Sequence, residues 1–179
     1  INIAFVNELS MLFNRIGIGL SFLGWFILNI YFYVYFPQNF IQTTVAICVF
    51  LYPVFILTFL ITFYRRHIKY YQPLSALSNC LAGLDFVYMG NHLLHYDLVT
   101  ICGILTALMF AFFILQLRFK IAVVTTLVYV ITFQISLMLL TDHQNTALLS
   151  LIIWVIEITF IVGGYFRERA VRRVFHQNK

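Results

Sequence analysis

Two groups of residues carry side chains that could do chemistry. The first is Asn91, His92, His95 and Asp97, joined by Asp142 and His143 from a later connection. His92 and His95 are three apart and share one face of a helical turn. Imidazole and carboxylate ligands suit zinc or copper, and Asp97 or Asp142 could complete a four-ligand shell. The same histidines also fit ordinary interfacial polar residues, or groups that sense pH by titrating. The second group is scattered through apolar sequence: Asn79, Asp85, Gln134 and Glu157. A carboxylate surrounded by apolar sequence costs several kcal/mol unless it is paired or hydrogen-bonded. No Lys or Arg stands near Glu157 to pair with it. A neutral acid, or a bond to Asn79, Gln134 or a tyrosine, is the expectation. Asp85, Glu157 and Asn79, with Trp25 and Trp154, form the candidate ligand-binding set; the competing reading of the same polar groups is a structural interhelical hydrogen bond.

The elements that must position these groups follow from composition. The 179 residues are 63% hydrophobic and only 9% charged, against about 25% charged in soluble domains. Such a chain has too few charges to cover a water-facing surface. A spanning helix needs about 20 mostly apolar residues, and six stretches qualify: 16–36, 40–64, 73–90, 98–117, 121–140 and 147–165. The third is short and holds Asn79 and Asp85, so it is expected to face other helices rather than lipid. The fold expected is therefore all-α, an integral membrane six-helix bundle. The connections are short, which makes successive helices antiparallel neighbours.

The basic residues orient the bundle. Arg15 precedes the first span; Arg65, Arg66 and Lys69 lie between the second and third; Arg118 and Lys120 lie between the fourth and fifth; Arg167, Arg169, Arg172, Arg173 and Lys179 follow the sixth. The other three connections carry none. By the positive-inside rule both ends are expected in the cytoplasm. The net charge of +5 is thus accounted for by orientation, and no nucleic-acid partner is expected. Cys48, Cys80 and Cys102 all fall in apolar stretches and read as free thiols. The start of the chain lacks a basic leader, so no signal peptide is expected there.

The last span is expected to continue as a helix beyond the membrane. Residues 165–175 contain good helix formers and no Pro. Ala170, Val171, Val174 and Phe175 keep an apolar stripe at three- and four-residue spacing. Such a stripe fits a parallel coiled coil in a homodimer, or a basic amphipathic tail resting on anionic lipid. Gly163 and Gly164 sit where this helix leaves the membrane. They fit close helix packing or a hinge, and with Arg169, Arg172 and Phe175 they form the candidate output segment.

The run Tyr165-Phe166-Arg167-Glu168-Arg169-Ala170-Val171-Arg172-Arg173-Val174-Phe175 resembles the exit helix of six-transmembrane-helix, MASE-like sensor domains in bacterial nucleotide cyclases. Leu20-Ser21-Phe22-Leu23-Gly24-Trp25, Tyr31-Phe32-Tyr33, Phe36-Pro37-Gln38 and Thr141-Asp142-His143 look like segments of membrane sensors in quorum-sensing-type histidine kinases. The resemblance covers most of the chain in layout but only these stretches in residues, and the spacing from Trp25 to Phe36 is shorter than in the kinase group. It implies a domain boundary near residue 166, with a signalling helix from 167 to 179 and a catalytic domain beyond Lys179. It also implies an obligatory dimer, a bacterial inner-membrane location, and a small lipophilic or metal-ion signal.

No P-loop, dinucleotide fingerprint or nucleophile elbow is present. His67, His92, His95, His143 and His176 all fall in connections or the tail, which disfavours a haem held between spans. A sensory input module is therefore the leading expectation. A small transporter or ion-conducting protein using Asp85 and Glu157 is the alternative, and a metal enzyme built on His92, His95 and Asp97 is a third class.

Overall fold

The computed structural model describes residues 3–35, 37–38, 40–63, 70–91, 98–115, 117–140 and 143–177. Among them there are six helices and no strand. Helix α1 is Ile3–Tyr35. Helix α2 covers residues 40–61, with Phe40–Ala46 and Tyr52–Ile61 joined by a π-helical turn, Ile47–Leu51. Helix α3 is Tyr71–Met89. Helix α4 covers residues 98–114 and ends in a second π-helical turn, Phe110–Ile114, after Leu98–Met109. Helices α5 and α6 are Phe119–Leu140 and His143–Gln177.

Three helices are long and apolar enough to cross a membrane, over Arg15–Tyr35, Phe119–Leu139 and Ala147–Ala170. They mark the chain as a membrane protein. Two shorter apolar stretches, Ile47–Ile61 and Thr100–Ile114, belong to α2 and α4. The remaining helix, α3, carries Ser75, Ser78, Asn79 and Asp85, which lower its hydropathy. It is also the enclosed one: its Ser75, Ser78, Asn79, Ala82 and Gly83 are all buried, and it packs against α2, α4 and most extensively α5. Small residues let the backbones approach, and polar residues find partners between helices.

The surface and interior are reversed relative to a water-soluble domain. Ile41, Val124, Met138 and Leu139 are among many large apolar side chains turned outward. Thr58, Thr126, Asn79 and Glu157 are buried. Most described threonine hydroxyls donate within their own helix, as Thr58 does to the Val54 carbonyl at 2.6 Å and Thr159 to that of Val155 at 2.7 Å. In hydrocarbon there is no water to take those protons.

Contacts at the helix ends establish alternating directions. Arg15 of α1 reaches the end of α2, donating to the Thr62 carbonyl at 2.7 Å and to Thr62 Oγ1 at 3.2 Å. Its guanidinium also lies 4.2 Å above the Phe63 ring. Gln72, early in α3, accepts from the Arg118 amide that precedes α5. At the far end, Asn91 donates to Ser136 of α5 at 3.1 Å. The described cations Arg15, Arg118 and Lys120 thus share one end of the bundle with Arg167. The π turn in α2 comes immediately before Pro53. Proline removes a backbone donor and clashes with the carbonyl four residues back, and a widened turn relieves both.

Two helices approach closely at Gly83 of α3, where a Cβ would meet the ring of Tyr129 on α5. Gly19 of α1, in contrast, has open space where a Cβ would stand. Gly83→Leu should therefore lower stability by about 1–3 kcal/mol through overpacking. Gly19→Ala should leave it unchanged or raise it by about 0.5–1 kcal/mol through helix propensity. Thermal denaturation in detergent micelles, followed by size-exclusion chromatography, measures the difference.

Candidate functional site

A cavity of about 170 Å³ lies between α1, α2, α3 and α4. Trp25 of α1 and Phe86 of α3 form one wall, their rings stacked with centroids 4.8 Å apart. Asn79 and Ala82 of α3 line its inner side, while Phe110 and Leu115 bring in the π turn of α4. Leu20, Gly24 and Thr106 also line it and are exposed on the outer surface, so the cavity opens sideways between α1 and α4. Gly24 is near the middle of the apolar stretch Arg15–Tyr35. The mouth is therefore at mid-depth of the apolar belt rather than at either end of the bundle.

The polar groups on the wall are unequal. Ser21 donates to the Gly17 carbonyl, Ser78 to that of Ser75, and Thr106 to that of Cys102. Asn79 is 4% exposed, and its Nδ2 has no hydrogen-bond partner among the described residues. It stands beside the Tyr129 hydroxyl, which is also buried and also without a closed bond. An unsatisfied buried donor costs about 1–3 kcal/mol.

Behind the cavity, Glu157 of α6 is 0% exposed. Its Oε1 lies 2.7 Å from Thr126 Oγ1 on α5, and Thr126 Oγ1 lies 3.0 Å from the Ala122 carbonyl. A hydroxyl has one proton. The pair closes as a single chain when Glu157 donates to Thr126 and Thr126 donates to Ala122. Tyr129 is within electrostatic range of the same carboxyl. Neither Asn79 nor Gln134 is the bonded partner of Glu157; Gln134 accepts from Ser150 at 2.5 Å instead.

At the cation-bearing end, α6 grips the α4–α5 connection. Arg167 donates to the carbonyls of Phe112 and Leu117. Glu168 accepts from the Phe119 backbone amide at 2.7 Å, at the first residue of α5. A cation thus covers the carbonyl end of one helix and a carboxylate covers the amide end of the next, each matching the local dipole. Gly164 packs on Phe112, whose ring edge fills the place of a Cβ, whereas Gly163 has ordinary room beside Phe113. The helix runs unbroken through both glycines to Gln177.

The structure therefore brings Asn79 and Trp25 into one cavity, with Glu157 in a polar seam behind it. It separates Asp85 and Trp154. Asp85 is part-buried on α3 with Oδ2 unpartnered among the described residues, and Trp154 packs against the core around Tyr129 and Phe133. Neither lines the cavity. Arg169 is exposed. His92, His95, Asp97 and Asp142 lie outside the described residues, as do the side chains of His143, Arg172 and Phe175. Among the described residues no three His, Cys, Asp or Glu side chains cluster as metal ligands would. Thr126, Phe110 and the roles of Arg167 and Glu168 were not singled out from sequence; Thr126 differs in no sequence signal from Thr125 beside it.

No family model, curated protein or solved structure matches the chain.

Removing the partner of Glu157 should be costly. Thr126→Val should destabilise the protein by about 1–3 kcal/mol, the usual penalty for an unsatisfied buried group. Thr126→Ser should retain most of the stability. Chemical denaturation in micelles distinguishes them, and equal stability of the two variants would contradict the assignment of this bond.

Proposed function

We propose that the chain is a membrane-embedded input and dimerisation module. It crosses a bacterial cytoplasmic membrane six times with both ends in the cytoplasm, takes up a membrane-dissolved cue between its helices, and passes the result along α6 to a cytoplasmic effector. The orientation is supported by the gathering of cations at one end of the bundle. The exit is supported by length: the 35 residues of α6 extend about 52 Å at 1.5 Å per residue, against roughly 30 Å of hydrocarbon.

One observation carries the relay. The π turn Phe110–Ile114 faces the cavity with Phe110, while Arg167 and Gly164 of the exit helix hold the same turn at Phe112. A ligand that moves the cavity wall thus acts on a segment to which α6 is bonded. π turns carry a backbone hydrogen-bond pattern distinct from the α-helix and recur at functional sites; the relay takes the α-helical pattern as the second arrangement of this turn. The ligand shifts the balance between arrangements by its difference in affinity for them. The effector, by the resemblance of residues 165–175, is a nucleotide cyclase (adenylate or diguanylate) or, next, a histidine kinase, working as a homodimer. The transporter alternative needs Asp85 and Glu157 on a common path, and neither lines the cavity.

The test joins Lys179, in the register of α6, to a dimer-dependent nucleotide cyclase domain as reporter. Arg167→Gln and Gly164→Leu should each change basal cyclase output by about fivefold, the low end of typical coupling between sites. Membrane levels should stay unchanged in Arg167→Gln. Output of Gly164→Leu is read per molecule in the membrane, because its side chain meets the Phe112 ring. Val124→Leu on the outer face of α5 should leave output unaltered. Output that follows only the amount of protein in the membrane would overturn the reading.

A further inference from the structure

The lateral cavity has a chemistry specific enough to name its ligand class. We infer that it binds a small apolar molecule carrying one hydrogen-bond acceptor, entering sideways from the lipid between Leu20, Gly24 and Thr106, with the acceptor held by the side-chain amide of Asn79. The inference rests on the sensory reading for its purpose, but not for its evidence.

Size sets the first limit. An apolar cavity of about 150 Å³ takes benzene, so a cavity of about 170 Å³ holds a body of comparable bulk. The open mouth lets a longer tail remain in the bilayer. Wall chemistry sets the second. Trp25 and Phe86 offer stacked aromatic faces, and Phe55, Leu28 and Ile18 complete an apolar lining. A charged ligand would find no counter-charge there, since no Asp, Glu, Lys or Arg among the described residues lines the cavity. Hydrogen bonding sets the third. The hydroxyls of Ser21, Ser78 and Thr106 give their protons to their own helices, while Asn79 Nδ2 is enclosed and closes no hydrogen bond among the described residues, the Tyr129 hydroxyl being its polar neighbour. A donor in that position is satisfied by a carbonyl, ester or ether oxygen arriving with the ligand. A purely hydrocarbon occupant would leave it unmet. Access sets the fourth. The exposed mouth residues lie at the middle of the apolar stretch of α1, so a molecule dissolved in the bilayer reaches them without crossing water.

The test uses Trp25 as its own reporter. The chain has two tryptophans, so Trp154→Phe leaves Trp25 as the only indole. The protein is placed in lipid nanodiscs and titrated with methyl 5-bromopentanoate or with 1-bromoheptane. The two have matched chain length and both carry a bromine that quenches indole on contact, but only the ester is a strong acceptor. The ester should quench Trp25 saturably, half-saturating at a membrane mole fraction roughly three- to tenfold lower than the alkyl bromide, the effect of one net hydrogen bond. Asn79→Leu should erase that difference. Gly24→Leu should abolish saturable quenching by both probes; a Cβ at Gly24 meets no atom within 4 Å, so the substitution is accommodated and its side chain obstructs the mouth. Quenching that is linear in both probes and indifferent to Gly24→Leu would overturn the site. An unchanged ester preference in Asn79→Leu would overturn the role of the amide. Either failure concerns binding alone and leaves the relay from Arg167 and Gly164 to the cyclase reporter to stand or fall by its own measurement.

Discussion

A polypeptide surrounded by hydrocarbon has no water to complete its hydrogen bonds, and each unmet backbone or side-chain group costs several kcal/mol. The architecture of this chain follows from that constraint. The described backbone is almost wholly helical, because a helix satisfies its own amides. The threonines and serines of α1, α2, α4 and α5 turn their protons back onto carbonyls of the same helix. The groups that cannot be satisfied locally are drawn inward, where another helix can meet them: Asn29 with Tyr52 and Thr44, Asn91 with Ser136, Thr126 with Glu157, Ser150 with Gln134. The outer surface is left to isoleucine, leucine, valine and phenylalanine.

Helix ends face the same demand, since the last carbonyls and first amides have no partner within the helix. Here the cations answer it directly. Arg15 covers the end of α2, Arg167 the end of α4, and Glu168 the start of α5. The residues that would set membrane orientation are therefore also the ones that fasten neighbouring helices to each other. On the proposal made above, this gives the exit helix two attachments. One is at Glu157, midway along the bundle, and the other is at the π turn beside the cavity. Packed interiors do not deform smoothly, so a change at the π turn would be passed on as a discrete shift of α6.

Much of the helical layout could be read in advance. Hydropathy alone placed helices close to where they stand, and the polar residues of the third stretch foretold that it would be enclosed. One helix proved longer than expected, α1 starting at Ile3, whereas α6 reaches Gln177 as the helix formers of residues 165–175 indicate. What could not be read was anything that depends on the register of one helix against another. Glu157 announced a need for a partner, but Gln134, Asn79 and several tyrosines were equally eligible; Thr126 was not among them, since a threonine in an apolar helix usually bonds its own turn. The cavity arises from four helices at once and leaves no periodic mark. The π turn at Phe110–Ile114 has no proline nearby to betray it, unlike the one before Pro53. The clustered His92, His95, Asp97 and Asp142, the most conspicuous chemistry in the sequence, lie outside the described residues.

The central claim is that the bundle lies in a bilayer with its cationic end toward the cell interior. Single cysteines at Arg118 and at Gln38, in a background lacking Cys48, Cys80 and Cys102, test it directly with a membrane-impermeant maleimide. The account predicts that the cysteine at 38 is labelled in intact cells, while the one at 118 is labelled only after the membrane is opened. Labelling of both positions in intact cells, or of 118 but not 38, would contradict it.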